Sequence, residues 1–157
     1  MIKILFICHG NICRSPMAEF IMKKMVEERG LSDKFYIESA ATSSEEIWGG
    51  IGNPVYPPAR KELLKHGISC EGKHARQLTK ADYDKFDFLI GMDEMNIRNI
   101  EKITGHKGGK ICLLLSFTDN IRAISDPWYT GNFSKTYSDI KEGCEAFLKF
   151  LLSKSLI

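Results

Sequence analysis

Short apolar runs alternate with helical stripes along the whole chain. Four runs of strand length, Ile2 to Ile7, Phe35 to Ala41, Phe86 to Met92 and Lys110 to Leu115, predict buried strands. Between them the apolar spacing changes to that of a helix. Ala18, Ile21, Met22 and Met25 form one stripe, with Glu19, Lys23 and Glu27 on its other side and Gly30 as its stop. The last stripe, Ile140, Cys144, Phe147, Leu148, Leu151 and Leu152, holds over three turns and predicts a helix docked on the sheet. Shorter helices are expected from about Pro58 to His66, around Lys80 to Tyr83, and from Glu94 to Ile103. Gly49 to Pro58 collects three of the five prolines and reads as an irregular loop. No repeat or low-complexity tract interrupts the pattern. The alternation predicts an α/β fold: a single domain over residues 1–157, doubly wound on a four-stranded parallel sheet with helices on both faces. Such sheets bind ligands beyond the carboxyl ends of their strands.

Composition narrows the function classes. A chain of 157 residues with 43% hydrophobic and 27% charged residues has one core and no room for a second catalytic domain. A formal charge of +2 argues against a general nucleic-acid binder. No apolar run reaches membrane-spanning length, and the first segment is too short an apolar run for a signal peptide. The five cysteines are odd in number and irregular in spacing, unlike a secreted disulfide framework. A cytoplasmic monomer with reduced thiols is expected.

The chemistry is expected directly after the first strand, in Cys8-His9-Gly10-Asn11-Ile12-Cys13-Arg14-Ser15-Pro16. Ser15 is a good N-cap type and Pro16 suits a first helical position. Gly10 and Asn11 tolerate left-handed backbone, so the loop is expected to turn its N–H groups inward as a phosphate-binding nest at a helix N-terminus. Cys8 would lie at the floor of that nest, where donors and the helix dipole lower a thiol pKa from ~8.5 into the range ~3.5–7.5. Arg14 would fold back as a planar fork onto two phosphate oxygens. Ser15 would donate a hydrogen bond to the thiolate. The plain alternative is a buried structural cysteine.

This loop resembles the signature of the low-molecular-weight protein-tyrosine phosphatases, which carry it directly after the first strand. The resemblance continues through Ser39-Ala40-Ala41-Thr42, Ala75-Arg76-Gln77, Phe86-Asp87, Met92-Asp93-Glu94 with Asn96, and Asp126-Pro127-Trp128-Tyr129. It implies hydrolysis of phosphotyrosine or small aryl phosphates through a phosphocysteine, with inorganic phosphate as product and neither cofactor nor metal. Cys8 would be the nucleophile and His9 to Ser15 the phosphate loop. Arg14 would clamp the phosphate, and Asp126 would serve as general acid and then general base, with Pro127 restricting its conformation.

The resemblance also implies supporting roles. Asn11, Ser15 and Ser39 would hold the loop in shape, although Ser39 reads equally as a strand-end turn. Trp48, Trp128 and Tyr129 are expected as an aromatic rim, although on an extended segment Trp128 and its neighbour Tyr129 would face opposite ways. Cys13 would trap an oxidised Cys8 as a disulfide, or pack as an inert thiol. Where the family has a network histidine, Lys73 stands here, followed by His74. His66, Cys70 and His74 have helical spacing, but Gly67 and Gly72 interrupt such a helix, which argues against a metal site. Three rivals share the loop. An arsenate reductase would need cysteines between Phe86 and Gly109, and there are none. Phosphoarginine phosphatases carry threonine where Ile12 stands. A non-catalytic phosphate-binding module would have lost Cys8 or Asp126.

Overall fold

The computed structural model describes residues 1–157. β1 (Ile2–Cys8) runs through the middle of a four-stranded sheet, parallel to β2 (Phe35–Ala41) on one side and β5 (Phe88–Gly91) on the other. β6 (Ile111–Leu113) pairs with β5 at the far edge, giving the order β2-β1-β5-β6 with every strand parallel.

Alternate residues of β1 serve two different cores, as a strand covered on both faces requires. Ile4, Phe6 and Cys8 face helices α1 (Arg14–Glu28) and α6 (Phe133–Ser153), among Met17, Ile21, Ile140 and Phe147. Leu5 and Ile7 face the opposite way, with Phe86, Leu89 and Ile100, where α3 (Asp82–Lys85) and α4 (Glu94–Thr104) cover the sheet. Burying each such side chain contributes roughly 1.5–3 kcal/mol. The strand that delivers Cys8 is therefore paired on both edges and buried on both faces.

The two later strands are shorter than their apolar runs. Phe86 and Asp87 lead from α3 into β5 without joining the named strand. After Leu113 the chain leaves the sheet in a 3-10 turn, Leu114–Phe117, because Leu114 and Leu115 pack under α6 instead. Gly143 makes that packing possible, since a Cβ there would lie 2.6 Å from Leu114 Cγ.

The segment expected as an irregular loop contains ordered structure. β3 (Ile47–Trp48) and β4 (Ile51–Gly52) form a small antiparallel pair. Gly49 and Gly50 turn between them at φ 57° and 80°, the left-handed pair of a two-residue hairpin. α2 (Pro57–Lys65) follows, one residue earlier than its apolar stripe predicts.

At the carboxyl edge of β1 and β5 several segments converge. The Thr42 N–H donates to the Cys8 carbonyl at 2.9 Å, Tyr56 to that of Ile12 at 2.9 Å, and Ile124 to that of Met92 at 2.8 Å. No helix is long and apolar enough to cross a membrane.

Candidate active site

β1 ends on Cys8, and the loop turns around its sulfur before α1 begins. Asn11, at φ 59°, supplies the left-handed residue; Gly10 does not, and a Cβ there would meet Glu46 Cγ at 3.2 Å. Three donors converge on the sulfur. The N–H groups of Asn11 and Ser15 reach Cys8 Sγ at 3.3 and 3.4 Å, and Ser15 Oγ lies 3.0 Å away. The N–H groups of His9, Gly10, Ile12, Cys13 and Arg14 find no acceptor within the protein, so the first turn of α1 keeps donors for an anion.

Ser15 is not the N-cap. The helix opens at Arg14 behind Cys13, with no side-chain cap, and Pro16 falls at its third residue. The reason is visible in the hydroxyl, which is engaged with Cys8 and Asn11 and cannot also close the helix.

Hydrogen-bond direction around Asn11 follows from one backbone group. The Arg76 N–H donates to Asn11 Oδ1 at 3.1 Å, which assigns the amide orientation. Asn11 Nδ2 then donates to both Ser15 Oγ, at 2.8 Å, and Ser39 Oγ, at 2.9 Å. As a thiolate Cys8 carries no hydrogen, so the Ser15 hydroxyl, 3.0 Å away, is then the donor to it; Ser39 donates to Glu19 Oε1 at 2.6 Å. Lys73 closes the chain, with Nζ 2.9 Å from the Ser39 carbonyl and 3.2 Å from Glu19 Oε1. Burial holds the Lys73 pKa below its ordinary value, against the pull of Glu19. His74 lies outside this network, its Nδ1 on the Gly52 carbonyl.

Arg14 is buried at 3% exposure and its fork is spread over two aspartates. Nη1 donates to Asp93 Oδ2 at 2.7 Å and to the Ile124 carbonyl at 2.9 Å, and Nη2 reaches Asp126 Oδ2 at 3.4 Å. Burial opposes its charge, but Cys8, Asp93 and Asp126 outweigh burial, and its pKa lies above the ordinary arginine value. Each aspartate also caps a helix. Asp93 Oδ1 accepts from the Asn96 N–H at 2.8 Å at the start of α4, and Asp126 Oδ1 from the Trp128 N–H at 3.0 Å at the start of α5 (Pro127–Thr130). Pro127 holds Asp126 in extended backbone, φ −76° and ψ 115°.

A cavity of about 200 Å³ opens over Cys8 and Arg14, with Asp126, Trp128 and Tyr129 in its wall. The segment carrying Trp128 and Tyr129 is helical, not extended, so both neighbours reach the wall. Trp48 does not line the cavity: Ile47 packs on the core, and the next residue of the strand therefore points away, 72% exposed. Ser39 belongs to the network. Cys13 is buried in the cavity wall with its thiol free, and burial, reinforced by Cys8, pushes its pKa upward.

His66, Cys70 and His74 do not converge. His66 hydrogen-bonds Glu62 at 3.1 Å and stacks on Tyr137, while His74 is turned to Gly52. No group of three His, Cys, Asp or Glu side chains is arranged to hold a metal ion.

Glu19 and Asp93 carry roles that periodicity does not disclose. Glu19 falls on the polar side of the first stripe, yet it is 3% exposed because Ser39 and Lys73 cover it. Asp93 has a local signal, an aspartate three residues before Asn96 at a helix start, which announces the cap but not the arginine.

The family model described as low molecular weight phosphotyrosine protein phosphatase matches residues 3–156. The chain is 40% identical over 151 residues to the low molecular weight protein-tyrosine-phosphatase YfkJ of Bacillus subtilis, covering 94% of each chain. The crystal structure of YfkJ superposes with a TM-score of 0.92 at 38% identity, over 98% of this chain and 96% of that one. The mouse low molecular weight phosphotyrosine protein phosphatase is 38% identical over 153 residues, 94% of each chain. The crystal structure of DARP, a Drosophila arginine phosphatase, superposes with a TM-score of 0.83 at 33% identity, over 95% of this chain and 97% of that one. The uncapped loop around Cys8, the buried arginine behind it and this similarity along nearly the full length agree: the chain belongs to the low molecular weight phosphotyrosine protein phosphatase family.

Proposed function

We propose that the protein hydrolyses phosphotyrosine monoesters through a phosphocysteine intermediate. The Cys8 thiolate attacks phosphorus, forming the S–P bond as the P–O bond to the phenol breaks. The spreading charge on the equatorial oxygens is met by the Arg14 guanidinium and the free N–H groups of the loop. Asp126, in its acid form, gives its proton to the departing phenolate oxygen. As a carboxylate it then takes a proton from water, whose oxygen bonds to phosphorus while the S–P bond breaks. The Ser15 hydroxyl, turned toward sulfur, stabilises the leaving thiolate. Inorganic phosphate is released.

One observation carries the assignment of the acid. Of the two aspartates on Arg14, Asp126 lines the cavity and Asp93 does not. The longer contact, 3.4 Å against 2.7 Å, also leaves Asp126 freer to turn toward a substrate oxygen. Ile12, Trp128 and Tyr129 give the cavity an apolar side suited to an aryl ring.

The test is hydrolysis of 4-nitrophenyl phosphate in chelator, followed by phosphotyrosine, phosphoserine and phosphoarginine peptides. Cys8→Ser is expected to lose about 10⁴-fold or more in kcat. Asp126→Ala is expected to lose about 10²–10⁴-fold on aryl phosphates with poor leaving groups, and less where the leaving group is acidic. Retained activity in Cys8→Ser overturns the mechanism. Preference for phosphoarginine moves the substrate class to that of DARP.

A further inference from the structure

Tyr56 touches both parts of the site without lining the cavity. It stands at the N-cap of α2, and its backbone N–H donates at 2.9 Å to the carbonyl of Ile12, in the middle of the loop around Cys8. Its ring lies 4.8 Å from that of Trp128, tilted by 52°, and 6.1 Å from that of Phe133 at the start of α6. Trp128 in turn gives its N–H to Asp126 Oδ1 at 3.0 Å. One residue thus joins the loop that holds phosphate to the short helix that carries the carboxyl. The Tyr56 hydroxyl makes no hydrogen bond within the protein, so the ring and the backbone N–H do the joining.

Trp128 is 54% exposed on a helix of one turn, and Tyr56 is the one aromatic ring paired with it. A tilted aromatic pair contributes ~0.5–1.5 kcal/mol beyond its buried area, enough to bias where so short a segment sits.

On the reading that Asp126 is the general acid, we propose that Tyr56 is a positioning residue that sets Asp126 over the phosphate loop through the Trp128 ring. Its substitution then acts on proton delivery to the leaving group and not on phosphate capture. The measurement is kcat/KM on phenyl phosphate, whose leaving group needs the proton, beside 4-nitrophenyl phosphate, whose leaving group needs it far less. Tyr56→Ala is expected to lose about tenfold more on the first substrate than on the second, since a misplaced acid forfeits part of its contribution. Tyr56→Phe, which keeps the ring, should restore both rates to within about twofold of wild type, because no hydrogen bond is removed. Trp128→Leu should copy the Tyr56→Ala pattern, and the double variant should add little to either.

Equal losses on both substrates, or additive losses in the double variant, overturn the proposal, because a general loosening of α2 would depress both rates alike. If Tyr56→Ala does not fold, Tyr56→Leu and the Trp128→Leu arm carry the same discrimination. Failure of the underlying reading looks different: wild type would then hydrolyse neither ester, or Asp126→Ala would show no dependence on leaving group.

Discussion

Two strand-loop-helix units lie side by side at the same edge of the sheet, and they treat their helix N-termini in opposite ways. β1 and β5 are paired neighbours, and each feeds a helix, α1 and α4. In the β5 unit the turn is tight and closed. Asp93 accepts from the Asn96 N–H at 2.8 Å, and Asn96 Oδ1 accepts from the Met92 N–H at 3.0 Å, so side chains satisfy the backbone reciprocally. In the β1 unit His9 to Cys13 intervene, Cys13 caps nothing, and the side chains that could have capped are committed to Cys8 and to each other. A missing cap costs about 1 kcal/mol. On the proposed mechanism, the chain forgoes that stabilisation where free N–H groups would meet the phosphate and takes it at α4, where no such role is assigned. Asp93 links the two units, capping one helix with Oδ1 and holding the arginine of the other with Oδ2.

Disrupting one unit at a time separates activity from stability. The larger effect belongs to Asn11→Ala, which frees two hydroxyls and the Arg76 N–H and removes the residue that accepts φ 59°. A loss of about 10²-fold in kcat/KM on 4-nitrophenyl phosphate is expected, as for a reacting group displaced by about 1 Å. Asn96→Ala is the matched change in the closed unit. It leaves the buried Met92 N–H unpaired and should cost about 1–3 kcal/mol in urea unfolding, with kcat/KM moving less than about threefold. If Asn96→Ala lost as much activity as Asn11→Ala, the distinction between the units would fail.

The smallest expected effect concerns pH and reaches the β1 unit through Arg76. That residue gives its N–H to Asn11, while its guanidinium is held by Glu38 and Asp82, each at 3.1 Å. Burial alone would raise the Asp82 pKa, but Arg76 and Thr79 outweigh burial and hold the carboxyl below its usual value. Its folded pKa is therefore the lower one, so the stabilisation is complete above the unfolded value near 4 and disappears as pH falls through the folded value. Unfolding measured at pH 7 and pH 3 should show a smaller acid loss in Asp82→Asn than in wild type. Identical losses would mean that another group governs the acid limb.

What was legible in the chain was local. Cys8 to Ser15 is contiguous, so the residues that surround the sulfur are neighbours in sequence and their spacing alone predicts a nest. The strand runs and the stripe of α6 were legible because burial on both faces, or along one stripe, leaves a periodic trace. The Gly49-Gly50 hairpin had its signal in the glycine pair, which the surrounding prolines obscured. Trp48 reads as a rim residue by type, yet strand alternation about Ile47 turns it to solvent. Glu19 reads as solvent-facing because periodicity cannot show that Ser39 and Lys73, from two distant segments, come down on it.

By itself the sequence determined the β1 loop, the identity of its sulfur and arginine, and the sheet that carries them, since these depend on contacts within a few residues or on burial periodicity. The tertiary structure decided which aspartate faces the cavity, that Ser39 donates to Glu19, and that Lys73, not His74, completes the network. Those choices depend on groups far apart in the chain, such as Arg76 with Asn11 and Asp126 with Arg14, whose distances are set only when the β-strands and helices have packed.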